Sequence, residues 1–370
     1  MSKQTEQFLA DVLFQPVSLG KLPLKNRIVM APLTRNRAEA GNVPGAMTIE
    51  YYAQRATAGL IIAEATQVSD TAQGYASTPG LHTPEQIAGW KKVTDEVHGR
   101  GGRIFVQLWH TGRMSHTAFQ PDGQAPVAPS AIAAKAKTYV PGAGYVDTSV
   151  PRELKTEEIA GIVNDFRTAA ANAVKAGFDG IEIHGAHGYL IDAFLRDGSN
   201  KRTDQYGGSI ENRARFLLEV MKAAIDEIGA ERVGIRISPV SPVNDSSESA
   251  PQPLFEYVVR ELEKLHPVYI HVVEGHTGGP RDNAPFDYEA LHRLYSGAWM
   301  VNNGYTKEMA IEAITSGRAD LVSFGRPFIS NPDLVRRFRE SASLNKLFED
   351  APLYGGAGPH GYIDYPALAD

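Results

Sequence analysis

The strongest constraint on the fold of this chain is a regular alternation of short apolar runs with longer amphipathic segments. Most of the short runs are almost continuously apolar, which is typical of parallel strands that are buried on both faces. The predicted strands are Arg27–Ala31, Leu60–Glu64, Arg103–Leu108, Gly180–Ile183, Val233–Ile237, Val268–Val273, Trp299–Val301 and Leu321–Phe324. The predicted helices are Met47–Thr57, Pro84–Arg100, Thr156–Ala176, Ile210–Ile228, Leu254–Leu265, Tyr288–Tyr295, Lys307–Ser316 and Pro332–Phe338. Successive strand–helix pairs of this kind predict an α/β fold, the (β/α)8 TIM barrel, and a doubly wound open sheet is the alternative.

The chain of 370 residues fits one large barrel with insertions, so we predict a single domain over residues 1–370. Residues 111–152 are rich in Pro, Gly, Ala and Thr, and they are too many for a plain connection between a strand and a helix. This stretch predicts a hairpin or lid over the barrel after its third strand. The Gly- and aromatic-rich tail, residues 351–370, is typical of a segment that covers another part of the molecule.

The composition narrows the classes of partner. The formal net charge is −6 and there is no run of basic residues, so neither nucleic acid nor an anionic membrane is an expected partner. The chain has no cysteine, which excludes disulfides, thiolate metal sites and a cysteine nucleophile. No apolar run approaches the ~18 residues of a membrane span, and the polar N-terminus lacks a signal-peptide core. We therefore predict a cytoplasmic protein that acts on a small molecule as a monomer or weak homo-oligomer.

Polar side chains follow the predicted strands where a barrel places its active site, at the carboxyl ends. The most informative group is His184, His187 and Tyr189 after the fourth strand. Two imidazoles and a phenol suit the polarisation of a carbonyl group and the delivery of a proton. The alternatives are a metal-binding pair, with Glu64 or Glu274 as third ligand, and a purely structural pair. No cluster of carboxylates reinforces the metal alternative, so we predict no metal.

The loops after the last two strands predict an anion site. In barrels these loops commonly bind a phosphate through backbone N–H groups and a cation. Asn303-Gly304 and Gly325-Arg326 fit that role, although the glycines alone are also compatible with simple chain turns. Arg236 lies in the middle of a predicted strand, where packing does not explain it because a buried unpaired charge is costly.

These residues also carry a resemblance to a known family. The relevant segments are Ile28–Arg35, Glu50–Arg55, Gln107–His110, His184–Tyr189, Arg202–Gly208, Glu211–Arg213, Phe324–Arg326 and Asn331–Asp333. In order and spacing they resemble the Old Yellow Enzyme family of flavin-dependent ene-reductases, over nearly the whole chain. Within that family the chain resembles the bacterial N-ethylmaleimide, pentaerythritol tetranitrate and glycerol trinitrate reductases.

The resemblance implies a non-covalently bound FMN. The residues that it places against the cofactor are Pro32, Leu33, Thr34, Ala65, Gln107, Arg236, Asn303, Gly304, Gly325 and Arg326. Among them, the Thr34 hydroxyl tunes the flavin, while Gln107 and Arg236 contact its pyrimidine ring. The last four residues hold the phosphate, and the tail lies over the cofactor site.

The resemblance also implies a ping-pong reaction. Hydride passes from NADPH or NADH to FMN, and then from flavin N5 to an activated alkene such as an enone, a maleimide or a nitroalkene, with nitrate esters as further candidates. His184 and His187 bind the carbonyl or nitro oxygen, and Tyr189 protonates the α-carbon. The residues that shape the substrate pocket are Thr34, Tyr75, Trp109 and Tyr354. The alternative functions are a metal-dependent lyase or hydrolase and a barrel that binds a ligand without turnover.

Two departures from the family pattern affect the site. Many relatives have Asn where this chain has His187, so the geometry around the substrate oxygen and the substrate range are expected to differ. Asn302-Asn303 stands where many relatives have small residues, which leaves open which backbone groups of that loop meet the phosphate.

Overall fold

The structure, a computed structural model, describes residues 12–369. In chain order its strands are β1 (Val17–Leu19), β2 (Leu22–Leu24), β3 (Ile28–Met30), β4 (Leu60–Gln67), β5 (Ile104–Trp109), β6 (Val127–Ala128), β7 (Lys137–Val140), β8 (Gly144–Asp147), β9 (Arg152–Glu153), β10 (Gly180–Gly185), β11 (Val233–Ile237), β12 (Tyr269–Val273), β13 (Ala298–Asn302) and β14 (Leu321–Phe324). The α-helices are α1 (Ala46–Gln54), α2 (Pro84–Gly99), α3 (Thr156–Lys175), α4 (Leu190–Leu195), α5 (Ile210–Ile228), α6 (Pro251–Leu265), α7 (Tyr288–His292), α8 (Lys307–Thr315), α9 (Arg326–Ser330) and α10 (Leu334–Glu340). None of these helices is long and apolar enough to cross a membrane.

Eight parallel strands close into a barrel in the order β10-β11-β12-β13-β14-β3-β4-β5, with β5 pairing back to β10. Closure confirms the (β/α)8 prediction and removes the doubly wound alternative, because the first strand pairs with the last, Ile28 opposite Val322. The predicted bounds of β11 and β14 are correct. β4 is three residues longer than predicted, because a bulge between Ala63 and Thr66 lets the strand continue its pairing with β5.

All eight predicted helices are present, and two short ones, α4 and α9, were not predicted. The start of α2 shows how the local sequence determines where a helix begins. The Thr83 hydroxyl accepts from the Gln86 backbone at 3.3 Å, and the Gln86 side chain accepts from the Thr83 backbone at 3.1 Å. This reciprocal capping satisfies two donors at the helix start. Helix α6 begins at Pro251 rather than at Leu254, since proline is tolerated in a first turn.

The hydrophobic core closes one end of the barrel and leaves the other for a site. A small cluster fills the barrel interior near the amino ends of the strands, and it includes Val29, Ile62, Phe105, Met300 and Leu321. The β1–β2 hairpin packs against this cluster through Leu19 and Leu24. A larger cluster joins the outer faces of the strands to the helices. The carboxyl ends of the strands therefore carry the polar groups.

The predicted insertion contains the predicted hairpin. Strands β7 and β8 pair antiparallel, and β6 pairs with β9. The hairpin is anchored by the Thr138 hydroxyl, which donates to the Gly74 carbonyl at 2.8 Å. Its outer face is aromatic, with Tyr139 50% and Tyr145 71% exposed.

The C-terminal tail packs where β3 ends. The Arg35 guanidinium donates to the carbonyls of Leu353 (2.9 Å) and Gly361 (2.7 Å), and Arg37 donates to that of Gly358 (2.7 Å). The Tyr362 ring stacks on Tyr51 of α1, with ring centroids 4.5 Å apart. The tail thereby connects the segment after β3 to the outer helices.

Candidate active site

The strand register places the candidate residues side by side on the barrel. His184 of β10 is paired with Arg236 of β11, and Arg236 is paired with His271 of β12. On the other side of β10, Glu182 is paired with Gln107 of β5. Residues at paired positions of neighbouring parallel strands point to the same side, so these five form adjoining groups on the barrel wall.

A tight turn between β10 and α4 brings the three predicted catalytic residues together. His187 and Gly188 have left-handed backbones, with φ of 61° and 72°. Two anchors hold the strained backbone of His187: its N–H donates to Ser238 Oγ at 2.9 Å, and its carbonyl accepts from Asn244 at 2.8 Å. Tyr189 then caps α4, so the phenol turns back towards His184.

Aromatic rings surround His184. Its ring lies 6.2 Å from Trp109, 4.9 Å from Tyr189 and 5.4 Å from His187, measured between centroids. Tyr75 stacks on Trp109 at 5.7 Å, and its hydroxyl lies 3.2 Å from that of Tyr189. Five of the predicted site residues therefore form one cluster. The N–H of the Trp109 indole is buried and has no hydrogen-bond partner within residues 12–369, so this side chain has an unused donor in the cluster.

The predicted Tyr354 lies at the edge of this cluster. Its side chain is 66% exposed, and no ring of the described residues stacks on it. Burial is the main cause of the raised pKa of Tyr75 and Tyr189, and the nearby Tyr354 adds to it. The tail itself is held by its backbone carbonyls on Arg35 and Arg37 rather than by the Tyr354 side chain. That Tyr354 shapes the substrate pocket therefore stays a prediction, supported by proximity and not by a packing contact.

Burial fixes the protonation states of the cluster. It lowers the pKa of His184 and His187 well below the ordinary value, and the charge of Arg236 adds to the effect. Both imidazoles are therefore neutral at pH 7, each with one N–H to donate. Burial raises the pKa of Tyr189 to about 12, against hydrogen bonds from Tyr75 and Asn244, so the phenol keeps its proton. Nδ1 of His184 is buried and has no hydrogen-bond partner among the residues that the structure describes.

Arg236 is a buried cation with few protein partners. Its Nη2 donates to Asn302 Oδ1 at 2.8 Å, whereas its Nε is buried without a hydrogen-bond partner in the described part of the chain. No carboxylate of the described residues forms an ion pair with it, although Glu182 is close enough to favour its charged form. Since a buried charge is costly when uncompensated, this side chain is suited to meet an electron-rich ligand.

A polar network that was not predicted from the sequence orients the side chain of Gln107, one of the predicted cofactor contacts. Its amide donates to Glu182 at 2.8 Å, and the same carboxylate accepts from Tyr269 at 3.1 Å and contacts His271 at 2.8 Å. The other nitrogen of His271 lies 2.7 Å from Ser323 Oγ. These contacts determine which way the Gln107 amide faces. The signal was present in the sequence, because Glu182 interrupts an apolar strand just as Arg236 does.

The predicted phosphate loops lie next to each other. Gly304 is exposed with φ of 66°, and Arg326 is exposed without a hydrogen bond or ion pair to any described residue. The Asn303 side chain instead forms hydrogen bonds with the neighbouring loop after β12. Its amide donates to the carbonyls of Glu274 (2.7 Å) and His276 (2.8 Å), and its oxygen accepts from the Gly278 backbone (3.0 Å). Asn303 therefore holds the loop after β12, and only its backbone is free for a ligand.

The remaining predicted cofactor contacts lie in the loop after β3, on β4 and directly after β14. Pro32 and Ala65 are buried and Leu33 and Thr34 are partly buried. A side-chain carbon at Gly325 would come within 3.3 Å of Leu33, so the loops after β3 and β14 are in contact. Ala65 lies at the bulge of β4, a feature that is common beside active sites.

The carboxylates considered for the metal alternative are engaged elsewhere. Glu64 accepts from the Tyr52 hydroxyl at 3.2 Å and the Arg35 backbone at 3.3 Å, and burial raises its pKa to about 7. Glu274 accepts from the Tyr305 hydroxyl at 2.7 Å and from Arg281 at 3.3 Å. Among residues 12–369 no group of three or more candidate ligands is placed to hold a metal ion.

Comparison with known proteins gives consistent matches over nearly the whole chain. Residues 12–345 match the NADH:flavin oxidoreductase / NADH oxidase family. Putative 12-oxophytodienoate reductase 11 of Oryza sativa subsp. japonica is 47% identical, over 96% of this chain and 97% of that protein. Morphinone reductase in complex with tetrahydroNAD is 47% identical over 97% of this chain and 98% of that one, with a TM-score of 0.92. The old yellow enzyme homologue from Zymomonas mobilis is 43% identical over 96% and 99%, with a TM-score of 0.92.

The fold and the site thus define a flavin-dependent barrel oxidoreductase. The chain belongs to the NADH:flavin oxidoreductase / NADH oxidase family, which includes the Old Yellow Enzyme homologues. The predicted family, enzyme class, FMN cofactor and nicotinamide reductant are confirmed, as is the use of small-molecule substrates. The finer resemblance to the bacterial maleimide and nitrate-ester reductases stays a prediction.

The residues present fit an FMN. Arg236 Nε and His184 Nδ1 are buried polar atoms without hydrogen-bond partners among residues 12–369, and within the same residues the Arg326 guanidinium has no hydrogen bond or ion pair. A flavin needs such a set: a cation near its pyrimidine ring, a fixed amide such as that of Gln107, and a cation for its phosphate.

Proposed function

We propose that the chain is an ene-reductase that reduces alkenes activated by a carbonyl or nitro group, with NADPH or NADH as reductant. The observation that carries the proposal is the cluster of His184, His187 and Tyr189 beside Trp109. It combines two neutral imidazole donors with one protonated phenol in a buried space. The relatives named for 12-oxophytodienoate and morphinone reduction favour a ketone-containing substrate.

Each member of the cluster has a distinct role in the proposed reaction. His184 and His187 donate hydrogen bonds to the substrate oxygen and stabilise the negative charge that develops there. Because both rings are neutral, they withdraw charge without transferring a full proton. Tyr189 protonates the α-carbon, since an acid with a pKa of about 12 is weak toward water but adequate toward a strongly basic carbanion.

The cofactor contacts support this chemistry. Bound at these residues, FMN would supply the redox chemistry, the transfer of a hydride from the reduced nicotinamide to the β-carbon of the alkene. We assign its binding to Pro32, Leu33, Thr34, Ala65, Gln107, Arg236, Asn303, Gly304, Gly325 and Arg326. Arg236 stabilises negative charge on the reduced cofactor. Thr34, Tyr75 and Trp109 line the substrate space, and Tyr354 borders it from the tail.

We further propose that residues 1–370 act as one unit, a cytoplasmic monomer or weak homo-oligomer without nucleic-acid or membrane partners. The tail over 351–370 would border the cofactor site. The bonds of Arg35 and Arg37 to tail carbonyls support this, because both arginines closely follow the predicted flavin contact Thr34. Gel filtration at several protein concentrations, with and without residues 351–370, would test the oligomeric state and the contribution of the tail to FMN retention.

The experiment that tests the function is an anaerobic titration of the purified protein. A yellow flavin spectrum should bleach on addition of NADPH or NADH, and a cyclic enone, a maleimide or a nitroalkene should restore it. Steady-state rates with both nicotinamides and with a nitrate ester would define the preferred reductant and acceptor. A colourless protein that does not take up FMN, or a bleached protein that no alkene reoxidises, would overturn the proposal.

A further inference from the structure

The second histidine of the site has a side-chain partner from the loop after β12. Nε2 of His187 lies 2.7 Å from Oγ1 of Thr277 in that loop. The other ring nitrogen, Nδ1, has no hydrogen-bond partner among residues 12–369. Nδ1 is therefore the nitrogen of His187 that is left for a ligand.

The hydroxyl of Thr277 is itself oriented by Ser241. The Thr277 backbone N–H donates to Ser241 Oγ at 3.3 Å, and the two hydroxyl oxygens lie 3.1 Å apart. Because Ser241 Oγ already accepts from that backbone, its proton is free to donate to Thr277 Oγ1. In that arrangement the Thr277 proton is directed to Nε2 of His187. A hydroxyl donates one hydrogen bond and accepts others, so these distances allow the Thr277 hydroxyl to donate to Nε2 while it accepts from Ser241.

A neutral imidazole carries one proton, on one nitrogen or the other, and the partner of one nitrogen fixes the state of the other. If Thr277 donates to Nε2, Nδ1 carries the proton and donates to a ligand. If Nε2 carries the proton instead, Nδ1 repels the oxygen of a substrate. A histidine in this position therefore works as a donor only in one tautomer.

We infer that Thr277, oriented by Ser241, is a positioning residue that holds His187 in the Nδ1–H tautomer and thereby makes it a donor to the substrate oxygen. The inference rests on the proposed function and deepens it. It also explains why the loop after β12 has to be held in place: the Asn303 side chain bonds three backbone groups of that loop, next to Thr277. An Asn in place of His187 always presents an N–H₂ donor and needs no such partner.

The test compares variants of the FMN-loaded protein. Thr277→Val removes the hydroxyl at nearly constant volume, and Thr277→Ser keeps it. The probe is the dissociation constant of p-chlorophenol, read from its charge-transfer band with the oxidised flavin. Thr277→Val should weaken phenol binding roughly fivefold, the effect of one lost hydrogen bond of average strength, while Thr277→Ser stays within about twofold. FMN content should be equal in all variants.

The control against a merely structural role is the same pair of variants on a His187→Asn background. There, Thr277→Val should change phenol binding by less than about twofold. An equal loss on both backgrounds would overturn the inference, since the loop rather than the tautomer would then be responsible.

The tautomer itself can be observed without any ligand. Two-bond ¹H–¹⁵N correlation spectra of protein labelled in its imidazole nitrogens distinguish the two forms, and the His187 signals are those that His187→Asn removes. Nδ1–H in the unmodified protein and a shift toward Nε2–H in Thr277→Val support the inference, and Nε2–H in the unmodified protein contradicts it. A protein that binds neither FMN nor phenol would refute the proposed function, and these spectra would still decide the tautomer.

Discussion

Replacing Tyr189 with Phe separates the two halves of the proposed reaction. The change removes one hydroxyl and keeps the ring that packs edge-on against Trp109 at 4.8 Å and His184 at 4.9 Å. The change removes the hydrogen bond to Tyr75, at 3.2 Å between the oxygens, and the interaction of the hydroxyl with Asn244. We therefore expect the fold and the FMN site to persist.

The Tyr189→Phe change should have a small effect on the free energy of unfolding and a large effect on the rate of the step that needs the proton. Loss of one neutral hydrogen bond without a cavity costs about 1 kcal/mol of unfolding free energy. Loss of a positioned general acid costs roughly two to four powers of ten in the step that needs the proton. Reduction by NADPH needs no proton from Tyr189, so that rate should stay within about a factor of three.

Stopped-flow absorbance of the flavin measures both halves in the same protein. The reductive half is followed by bleaching with NADPH and the oxidative half by recovery with an enone. Tyr75→Phe is the matched control, because it breaks the same hydrogen bond and leaves the Tyr189 hydroxyl in place. Full rates in both halves of Tyr189→Phe, or an equal loss in Tyr75→Phe, would refute the assignment of Tyr189 as the proton donor.

Two further variants test other parts of the structure. Asn302→Asp places a carboxylate against Arg236, so the arginine stabilises the reduced flavin less and the midpoint potential of bound FMN should fall. A loss of 1.4 kcal/mol in the stabilisation of the reduced flavin corresponds to about 30 mV for a two-electron couple. The potential is measured by equilibration with a reference dye. Asn302→Ala keeps the arginine charge uncompensated and should leave the potential higher than in Asn302→Asp. Burial lowers the pKa of His110 to about 3, so the unfolded state binds a proton below about pH 6.5 that the folded state does not. As the pH falls from 7.5 to 5, protonation of His110 in the unfolded state should lower the free energy of unfolding by about 2 kcal/mol, measured by urea denaturation. In His110→Asn this dependence on pH should be weaker.

These two predictions have clear contrary results. Equal potentials in Asn302→Asp and the unmodified protein would mean that Arg236 does not act on the cofactor. The Asn side chain in His110→Asn can accept from the Gly112 backbone, as His110 Nδ1 does at 3.1 Å. An unchanged pH dependence in this variant would therefore assign the acid sensitivity to other groups.

The fold and much of the site could be predicted because the pattern of a barrel is local in sequence. Each buried strand is a short apolar run, and the polar residues at its carboxyl end belong to the site whatever the loops do. Arg236 stood out in the sequence because a charge inside an apolar strand needs a reason, and the structure gives it Asn302 as its protein partner.

Other features depend on contacts between distant segments. Thr277 and His187 are in contact although they lie 90 positions apart in the sequence, and no local sequence pattern near either residue predicts the contact. Helix α4 was missed because six residues after a strand carry little helical periodicity. The side chain of Asn303 looked suitable for a ligand, but it serves the neighbouring loop. Tyr354 is aromatic in a glycine-rich tail, and that pattern alone does not tell exposure from burial.

The measurement that tests the proposed oxygen-binding role of the two histidines most directly is the absorbance spectrum of the protein on titration with p-chlorophenol. We predict a flavin spectrum and a new long-wavelength band in the unmodified protein. In the double variant His184→Ala, His187→Ala the flavin should remain and the band should disappear, because both donors to the phenolate oxygen are gone. A protein without flavin, or a band that persists in the double variant, would contradict this role.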